Sequence, residues 1–263
     1  MNIDHVEIQQ LMRQMVDLGI ADNLKLWVHS GLVKTRTSGS DLFVPKAYDI
    51  SGEENDAATL AENQQPKLAS DGFLGYNVHG SSGRAQAFDL SNHMPLVGQN
   101  SFTAMLWVKI NDNTVPENDF GYWLMQERGD SLYNVLPMIY QLIYNKTNSI
   151  FRFMIHDGST SLEVISTTTP TDDTWYHVAA TCDDTNEELK IYVNGSLENT
   201  EPFPTSYSRT KSCDLCRLMG SWTEVPHLSL IGTANDFRGL TKVLSLTEIT
   251  AIYNQTKGFY GIT

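Results

Sequence analysis

Two closely spaced cysteines are the first residues whose types and spacing could do chemistry. Cys213 and Cys216 form a Cys-x-x-Cys pair, which in other proteins acts as a redox disulfide or supplies half of a zinc site. Zinc needs four ligands, and the only further candidates are Cys182 and His227, with no second ligand pair near them. A redox role requires a βαβ context that is missing here. We therefore interpret the pair as loop thiols or a loop disulfide, and Cys182 as a small packing residue.

Carboxylates are abundant, so glycoside hydrolysis is a reaction to consider. Retaining hydrolases place two carboxyl groups about 5–5.5 Å apart, which alternate residues on one strand face can achieve. Glu53 and Glu54 lie in a loop-like run, whereas Glu187 and Glu188 are adjacent and would point to opposite faces of a strand. We assign no catalytic residue and predict a protein that is not an enzyme. A hydrolase with unrecognised residues is the less favoured alternative.

A cluster of oxygen-bearing side chains could hold a cation. Asp183, Asp184 and Asn186 fall within four residues, and a hard cation such as Ca²⁺ needs several oxygen ligands. We favour the alternative of a solvated hairpin turn, because Asp and Asn are common turn residues. No cofactor is required on this interpretation, and calcium is kept as an option at these three residues.

Three aromatic side chains lie in polar, irregular stretches: Tyr207, Trp222 and Tyr260. An aromatic face can stack on a sugar ring while neighbouring amides and carboxylates bind its hydroxyl groups. The simpler alternative is that these rings cover the edge of the domain or hold a long loop in place. We take the three as the candidate ligand-binding residues.

An amphipathic helix is predicted over residues 4–18. Its apolar residues recur at spacings of three and four, and Gly19 can end it. The stripe consists of Ile8, Leu11, Met12, Met15 and Leu18. Either this helix packs on its own domain, or it is a docking or oligomerisation helix that offers Leu11, Met12 and Met15 to a partner.

Most of the remaining chain consists of short stretches with strand character. They are rich in β-branched and aromatic residues and are separated by Asn, Asp, Gly and Pro clusters. The predicted strands cover 24–28, 101–110, 120–127, 135–144, 150–156, 161–166 and 228–232, with a hairpin over 175–195. Because crossover helices between these strands are lacking, the pattern predicts an all-β, antiparallel β-sandwich of jelly-roll type.

Two further segments follow the hairpin. Residues 199–227 are irregular and are predicted as a long loop, of the kind that often binds ligands. Ser245 and Glu248 have the spacing of a capping box that opens a short C-terminal helix. The inward stripe of this helix is predicted to contain Leu246, Ile249, Ile252 and Tyr253.

Several short segments of the sequence resemble those of laminin-G-like, concanavalin A-like modules. Trp-Tyr-His-Val-Ala begins at Trp175, and the strand that follows ends Tyr-Val-Asn-Gly at Gly195. Residues 46–57, which we interpret as a loop, contain Tyr-Asp-x-Ser-Gly-x-x-Asn-Asp-Ala. Ser-Phe-Thr-x-x-x-Trp-Val and Leu-Ser-x-x-Glu-Ile occur further along, so the resemblance covers residues 24–257. It implies a concanavalin-like jelly roll, which occurs in carbohydrate-binding or adhesive domains and in phage tail and capsid proteins.

The chain also departs from the family pattern. The strand before the last helix is usually apolar, whereas residues 235–241 include Asp236 and Arg238, so we do not predict a regular ladder there. The carboxylate run Glu-x-Asp-x-x-Glu of concanavalin-like glucanases is also absent from the sequence. We divide the chain into a helical extension (1–22) and a laminin-G-like sandwich (23–263).

Composition narrows the classes of partner. The chain has 263 residues and a net charge of −13, which argues against a nucleic-acid surface and against attraction to anionic membranes. No apolar run approaches the roughly 20 residues of a membrane span. The first 20 residues lack the basic and apolar regions of a signal peptide, so we expect synthesis in a host cytoplasm.

These observations and the resemblance together predict a non-enzymatic bacteriophage virion protein, either a capsid decoration or a tail-associated adhesin. The expected partners are virion structural proteins and host surface glycans, with further copies of the chain as an option. Neither nucleic-acid binding nor membrane insertion is expected. The alternative is a carbohydrate-binding module of cellular origin.

Overall fold

The computed structural model describes an antiparallel β-sandwich with an α-helix near each end of the chain. The described residues are 5–59, 61–75, 86–90, 95–96, 98–111, 122–128, 138–157, 160–204, 207, 215–220 and 229–263. The α-helices in these ranges are α1 (His5–Asp17) and α2 (Leu246–Thr256), and short 3-10 helices cover Ala21–Asn23, Glu62–Gln64 and Lys257–Tyr260. The strands are β1 (Leu24–Ser38), β2 (Asp41–Asp49), β3 (Ala57–Ala58), β4 (Lys67–Leu68), β5 (Phe73–Gly75), β6 (Phe88–Asp89), β7 (Phe102–Ile110), β8 (Tyr122–Arg128), β9 (Met138–Asn145), β10 (Ile150–His156), β11 (Ser161–Ile165), β12 (Trp175–Asp183), β13 (Glu188–Val193), β14 (Ser196–Pro202), β15 (Leu215–Leu218) and β16 (Gly232–Leu240). None of the helices described is long and apolar enough to cross a membrane.

The strand pairings are antiparallel wherever the chain is described. One run has the order β5-β16-β7-β12-β13-β14, with β1 also paired to β16. The other has the order β11-β10-β9-β8-β15-β6-β3-β2-β4. Aromatic contacts fill the space between the two runs; for example, the Phe102 ring lies 5.1 Å from Tyr140 and 6.2 Å from Phe153. The predicted all-β sandwich is therefore confirmed.

Strand β7 shows why the central strands are buried on both faces. Leu106 and Val108 belong to the core between the sheets. Met105 and Trp107, at alternate positions, point the other way and pack against the layer formed by the terminal helices. The outer face of this sheet is therefore closed by the two ends of the chain.

Helix α1 packs on this outer face rather than standing free. Leu11 is 4% exposed and Met15 is 0% exposed, and both belong to a cluster that includes Ile249 and Ile252 of α2; Met12 is half-buried against it. The predicted docking face of Leu11, Met12 and Met15 is thus turned inward, because an apolar stripe is stabilised by burial against the nearest apolar surface. The sequence left open that the helix packs on its own domain, and the structure shows α1 packed in this way. The boundary at residue 22 stays a prediction.

Strand β16 corrects the expectation of an irregular segment at residues 235–241. It is a central strand, and each of its nine residues is buried. Its register with β7 shifts between Asn235 and Arg238, and Asp236 has a φ of +56°. This β-bulge brings charged side chains into the outer layer while the ladder continues on either side.

Other element boundaries also differ from the sequence prediction. The segment 46–57 is not all loop, because β2 runs to Asp49 and β3 begins at Ala57. The strand predicted over 228–232 begins only at Gly232 in the described residues. The irregular segment 199–227 contains the end of β14 and all of β15.

The capping box of α2 is confirmed. The Ser245 side chain accepts a hydrogen bond from the Glu248 N–H, and the Glu248 carboxylate accepts one from the Ser245 N–H. Ile249 and Ile252 are buried as predicted, but Leu246 is 47% exposed and Tyr253 is only half-buried. The predicted inward stripe is therefore narrower than expected, and its outer edge faces a surface groove.

Candidate functional site

The acidic turn after β12 is organised by its own side chains. The Asp183 carboxylate accepts hydrogen bonds from the backbone N–H groups of Thr185 (2.9 Å) and Asn186 (3.1 Å), and from the Asn186 amide (2.7 Å). Asp184 donates its N–H to Ser101. In the described part of the chain, no group of three or more His, Cys, Asp or Glu side chains is arranged to hold a metal ion. The geometry favours the hairpin turn over a calcium site at Asp183, Asp184 and Asn186.

The aromatic candidates do not converge on one site. Tyr260 is only 8% exposed, and its ring stacks on Trp107 at 4.2 Å and contacts Trp175 at 4.7 Å. Burial raises the pKa of its hydroxyl well above the ordinary value. Tyr260 is therefore a packing residue, and its prediction as a ligand contact is corrected. The Tyr207 hydroxyl donates to the backbone carbonyl of Thr160 (3.1 Å); Trp222 lies outside the described residues.

The cysteines offer no described reactive site. Cys216 in β15 and Cys182 in β12 are both fully buried, and their sulfur atoms lie 3.9 Å from the Glu127 carboxylate and 3.8 Å from the Asp184 carboxylate. Cys213 lies outside the described residues, so a bond or metal shared with Cys216 stays untested.

A charged cluster lies buried beneath the terminal helices. The Arg238 guanidinium binds both carboxylate oxygens of Asp236, at 2.9 and 2.8 Å, and lies 4.6 Å from the Trp27 ring. The Trp27 indole N–H donates to the same carboxylate at 2.6 Å, and Arg238 also reaches the Met15 sulfur at 3.4 Å. Burial alone would raise the pKa of the Asp236 carboxyl, but Arg238 holds it below its ordinary value. This cluster anchors α1 to the sheet.

Two histidines on this sheet face are also buried. Burial lowers the pKa of His29 to about 4 and that of His177 to about 3, so both are neutral at pH 7. The His29 ring contacts the Asn235 amide at 3.2 Å, and the His177 ring packs 5.3 Å from Trp107. Because both side chains are only 1% exposed, they are part of the packing and are closed to ligands.

The opposite outer face carries a second polar row. Arg217 pairs with Asp89 at 3.2 Å, the Gln126 amide donates to the Gly220 carbonyl at 2.9 Å, and the Gln141 amide donates to Gln126 at 3.2 Å. These side chains alternate with core residues and so point away from the core. Gln126 is 0% exposed and Gln141 4% exposed, so this row is also closed.

An open groove lies between the β13–β14 turn and α2. It encloses about 510 Å³ and is lined by Asn194, Gly195, Ser196, Leu197, Leu246, Thr250, Tyr253 and Asn254. Four of these residues lie on one stripe of α2, because positions 246, 250, 253 and 254 share a helix face. The other four come from the hairpin that joins β13 to β14.

Local backbone chemistry builds the turn side of the groove. Asn194 and Gly195 have φ values of +50° and +76°, as a two-residue hairpin requires. The Asn194 side-chain oxygen accepts the His177 N–H at 3.0 Å, and Thr250 donates its hydroxyl to the Gly195 carbonyl at 2.6 Å. A Cβ at Gly195 would lie 2.9 Å from the Tyr253 ring, so glycine is needed for the turn to approach the helix.

The groove leaves several of its polar groups unused. Among the described residues, no hydrogen bond involves the hydroxyls of Ser196 and Tyr253, the side-chain amide of Asn254 or the side-chain amide nitrogen of Asn194. Leu197 is 42% exposed and Leu246 is 47% exposed. The groove thus combines apolar surface with groups that can both donate and accept hydrogen bonds.

Sequence reasoning missed this site. It placed Asn194 only within the Tyr-Val-Asn-Gly segment that ends the hairpin, and Tyr253 in the inward stripe of the helix. The available signal was the spacing of positions 246, 250, 253 and 254, which continues the exposed edge of the helix. What the sequence lacked was the position of the β13–β14 turn against that edge.

Comparison with known proteins agrees with the fold. The model of the concanavalin A-like lectin/glucanases superfamily matches residues 81–250. A search of curated proteins found no match. Among solved structures, the binding domain of paraclostridial mosquitocidal protein 1 is similar at a TM-score of 0.64 and 13% identity, covering 92% of this chain and 56% of that one.

Two botulinum neurotoxin domains are also similar. The ligand-binding domain of serotype D, solved in complex with N-acetylneuraminic acid, has a TM-score of 0.58 and 14% identity, covering 90% of this chain and 52% of that one. The second structure is of botulinum neurotoxin type C, a toxin whose cell entry depends on interaction with two ganglioside molecules. It has a TM-score of 0.56 and 18% identity, with the same coverage. The chain spans about half the length of these structures, and identities this low show the fold alone. The family match spans more than half of the chain, which therefore belongs to the concanavalin A-like lectin/glucanases superfamily.

Proposed function

We propose that this chain is a non-enzymatic, lectin-like module that binds surface glycans in the groove between the β13–β14 turn and α2. The observation that supports this most directly is the pairing of exposed apolar surface with unused amides and hydroxyls. A pyranose has the same two kinds of surface, because its C–H faces are apolar and its rim carries hydroxyl groups.

The lining residues have separate roles in such a complex. Tyr253 and the two leucines would cover the apolar face of the sugar, which removes apolar area from water. Asn254 and Ser196 would exchange hydrogen bonds with its hydroxyl groups, since each can donate and accept. Thr250 would hold the two walls together through its bond to Gly195, and Asn194 would fix the turn to β12.

The chemistry of the groove also supports binding without turnover. None of its eight lining residues is an acid, a histidine or a cysteine. Glycoside hydrolysis needs two carboxyl groups beside the scissile bond. The similar toxin structures are binding domains, and one of them is a complex with N-acetylneuraminic acid.

A location on a virion is a further part of the proposal. It is supported by the resemblance of the sequence to modules of phage tail and capsid proteins, which present such sandwiches to host surfaces. Mass spectrometry of purified particles tests it, with virion structural proteins as the expected companions. Absence from particles of a phage that encodes the chain would favour a cellular carbohydrate-binding module instead.

Glycan binding itself is tested with two variants of the purified protein. Asn254→Ala removes an exposed groove amide, and Glu201→Gln alters an exposed residue on the same strand as Ser196 but outside the groove. We expect a glycan array to give hits for the unchanged protein and the Glu201 variant. The Asn254 variant should bind roughly fivefold more weakly, as expected for one lost hydrogen bond. Blank arrays for the unchanged protein would reject the proposal, and release of reducing sugar from a bound polysaccharide would reject the non-enzymatic part.

A further inference from the structure

We propose that the groove selects uncharged sugars and rejects glycans whose recognised residue carries a carboxylate, such as sialic or uronic acids. This inference rests on the proposed function and names the class of ligand for the same groove. It follows from what lines the groove, what surrounds it and the charge of the whole chain.

None of the eight lining residues that the structure describes carries a charge. Their polar groups are the amides of Asn194 and Asn254 and the hydroxyls of Ser196, Thr250 and Tyr253. A sugar hydroxyl both donates and accepts, and so matches amide and hydroxyl partners. A carboxylate only accepts, and lectin-like recognition of it is strongest when a cation provides charge-assisted hydrogen bonds.

The acidic side chains next to the groove have partners. The Glu198 carboxylate, one residue beyond Leu197, accepts the N–H groups of Thr167 and Thr168 at 2.8 and 2.9 Å. Glu248, near the other end of the groove, is held by Lys242 at 2.6 Å and by the capping box. Neither carboxylate enters the lining, so they contribute negative potential without binding the sugar.

Lys257 is a described cation that contacts a groove residue. It lies one helical turn beyond Tyr253, with its ammonium group 5.9 Å from the centre of the Tyr253 ring, and it is not part of the lining. The single positive charge of Lys257 is small compared with the net charge of −13 on the whole chain. A sugar carboxylate placed between Leu197 and Leu246 would lose hydrating water without pairing with a cation. We expect the free-energy cost of this desolvation to make the groove select neutral over acidic sugars.

The test compares matched glycans with and without a terminal sialic acid, using the neutral glycan with the strongest array signal. Binding is measured by calorimetry at about 50 mM and about 500 mM NaCl. We expect the neutral glycan to bind with less than a twofold change across this range, because no ion pair is screened. The sialylated partner should bind at least about tenfold more weakly, as expected for an unpaired buried polar group.

Two charge variants complete the test. Lys257→Gln should change the neutral affinity by less than about twofold, and Asn254→Lys should raise the relative affinity for the sialylated glycan by placing a cation in the lining. Preferential binding of sialylated or uronic glycans, lost at high salt and in Lys257→Gln, would overturn the inference while leaving glycan binding intact. Failure of every glycan, neutral and acidic alike, would instead reject the proposed function and the inference with it.

Discussion

Helix α2 separates two regions that use the same kinds of side chain in opposite ways. On its inner side, the layer beneath the terminal helices contains Trp107, Tyr260, His177 and the Arg238–Asp236 pair, all of them less than a tenth exposed. On its outer side, the groove contains Tyr253 and two asparagines. Both regions are aromatic and polar, but only the groove has unused hydrogen-bonding groups at the surface.

In this fold, a binding surface differs from a packing layer in whether its polar groups are already bonded. In the inner layer, the Asp236 carboxylate binds both Arg238 and the Trp27 indole, so removing one partner leaves a buried group unsatisfied. The unpaired groups of Ser196 and Asn254 in the groove are exposed to solvent, so their removal should cost little stability and should mainly lower the affinity for a ligand. The account therefore predicts losses of stability on one side of α2 and losses of affinity on the other.

The largest effect is expected at the buried ion pair. Arg238→Met removes the cation that stabilises the Asp236 carboxylate and should lower the free energy of unfolding by about 3–5 kcal/mol. Urea denaturation measures this loss. The matched control is Lys25→Gln, which breaks the more exposed pair with Glu53 at 2.5 Å and should cost at most about 1 kcal/mol. Equal losses in the two variants would contradict the anchoring role of Arg238.

The buried histidines make the inner layer sensitive to acid. Below pH 6.5 the unfolded chain takes up protons at His29 and His177, whereas the folded chain holds both neutral down to about pH 4 and about pH 3. Stability is therefore full above pH 6.5 and falls with pH, by about 2 kcal/mol per histidine between pH 7 and pH 5. Denaturation at a series of pH values measures this slope. His177→Gln should remove about half of it, and a flat profile from pH 7 to pH 5 would show that the folded histidines can be protonated.

A smaller effect is expected where the turn meets α2. Gly195→Ala adds a Cβ at a φ of +76° and 2.9 Å from the Tyr253 ring, and should cost about 2–3 kcal/mol. Gly261→Ala is the control, because its φ of +73° is similar but nothing lies within 4 Å of its Cβ position. It should cost about 1 kcal/mol. Thermal unfolding compares the two, and a smaller loss at Gly195 than at Gly261 would mean that the groove wall can move.

Local patterns were sufficient to predict most of the fold. The alternation in β7, the Asn194–Gly195 turn and the capping box at Ser245 each depend on neighbours in sequence, and each is present in the structure. Strand β16 was not predicted, because the charged residues Asp236 and Arg238 interrupt the apolar pattern expected of a buried strand. Their burial depends on contacts with Trp27 and Met15, more than 200 residues away in the chain.

The candidate site was less accessible to sequence reasoning. Tyr260 and Tyr253 both stack on Trp107, yet Tyr260 is only 8% exposed, whereas Tyr253 is half-buried and also lines the groove. Which of them is exposed depends on how the segment after α2 folds back over Trp107. No local pattern in the sequence encodes that contact.

The most direct test of the central claim is an amide chemical-shift titration of the isotopically labelled protein with the neutral glycan selected above. We predict that the shifted resonances cluster at residues 194–197 and 246–254, and that those of the inner layer stay unchanged. Shifts confined to the polar row of Gln126, Gln141 and Arg217, with the groove unchanged, would contradict the account and place glycan recognition on the other sheet.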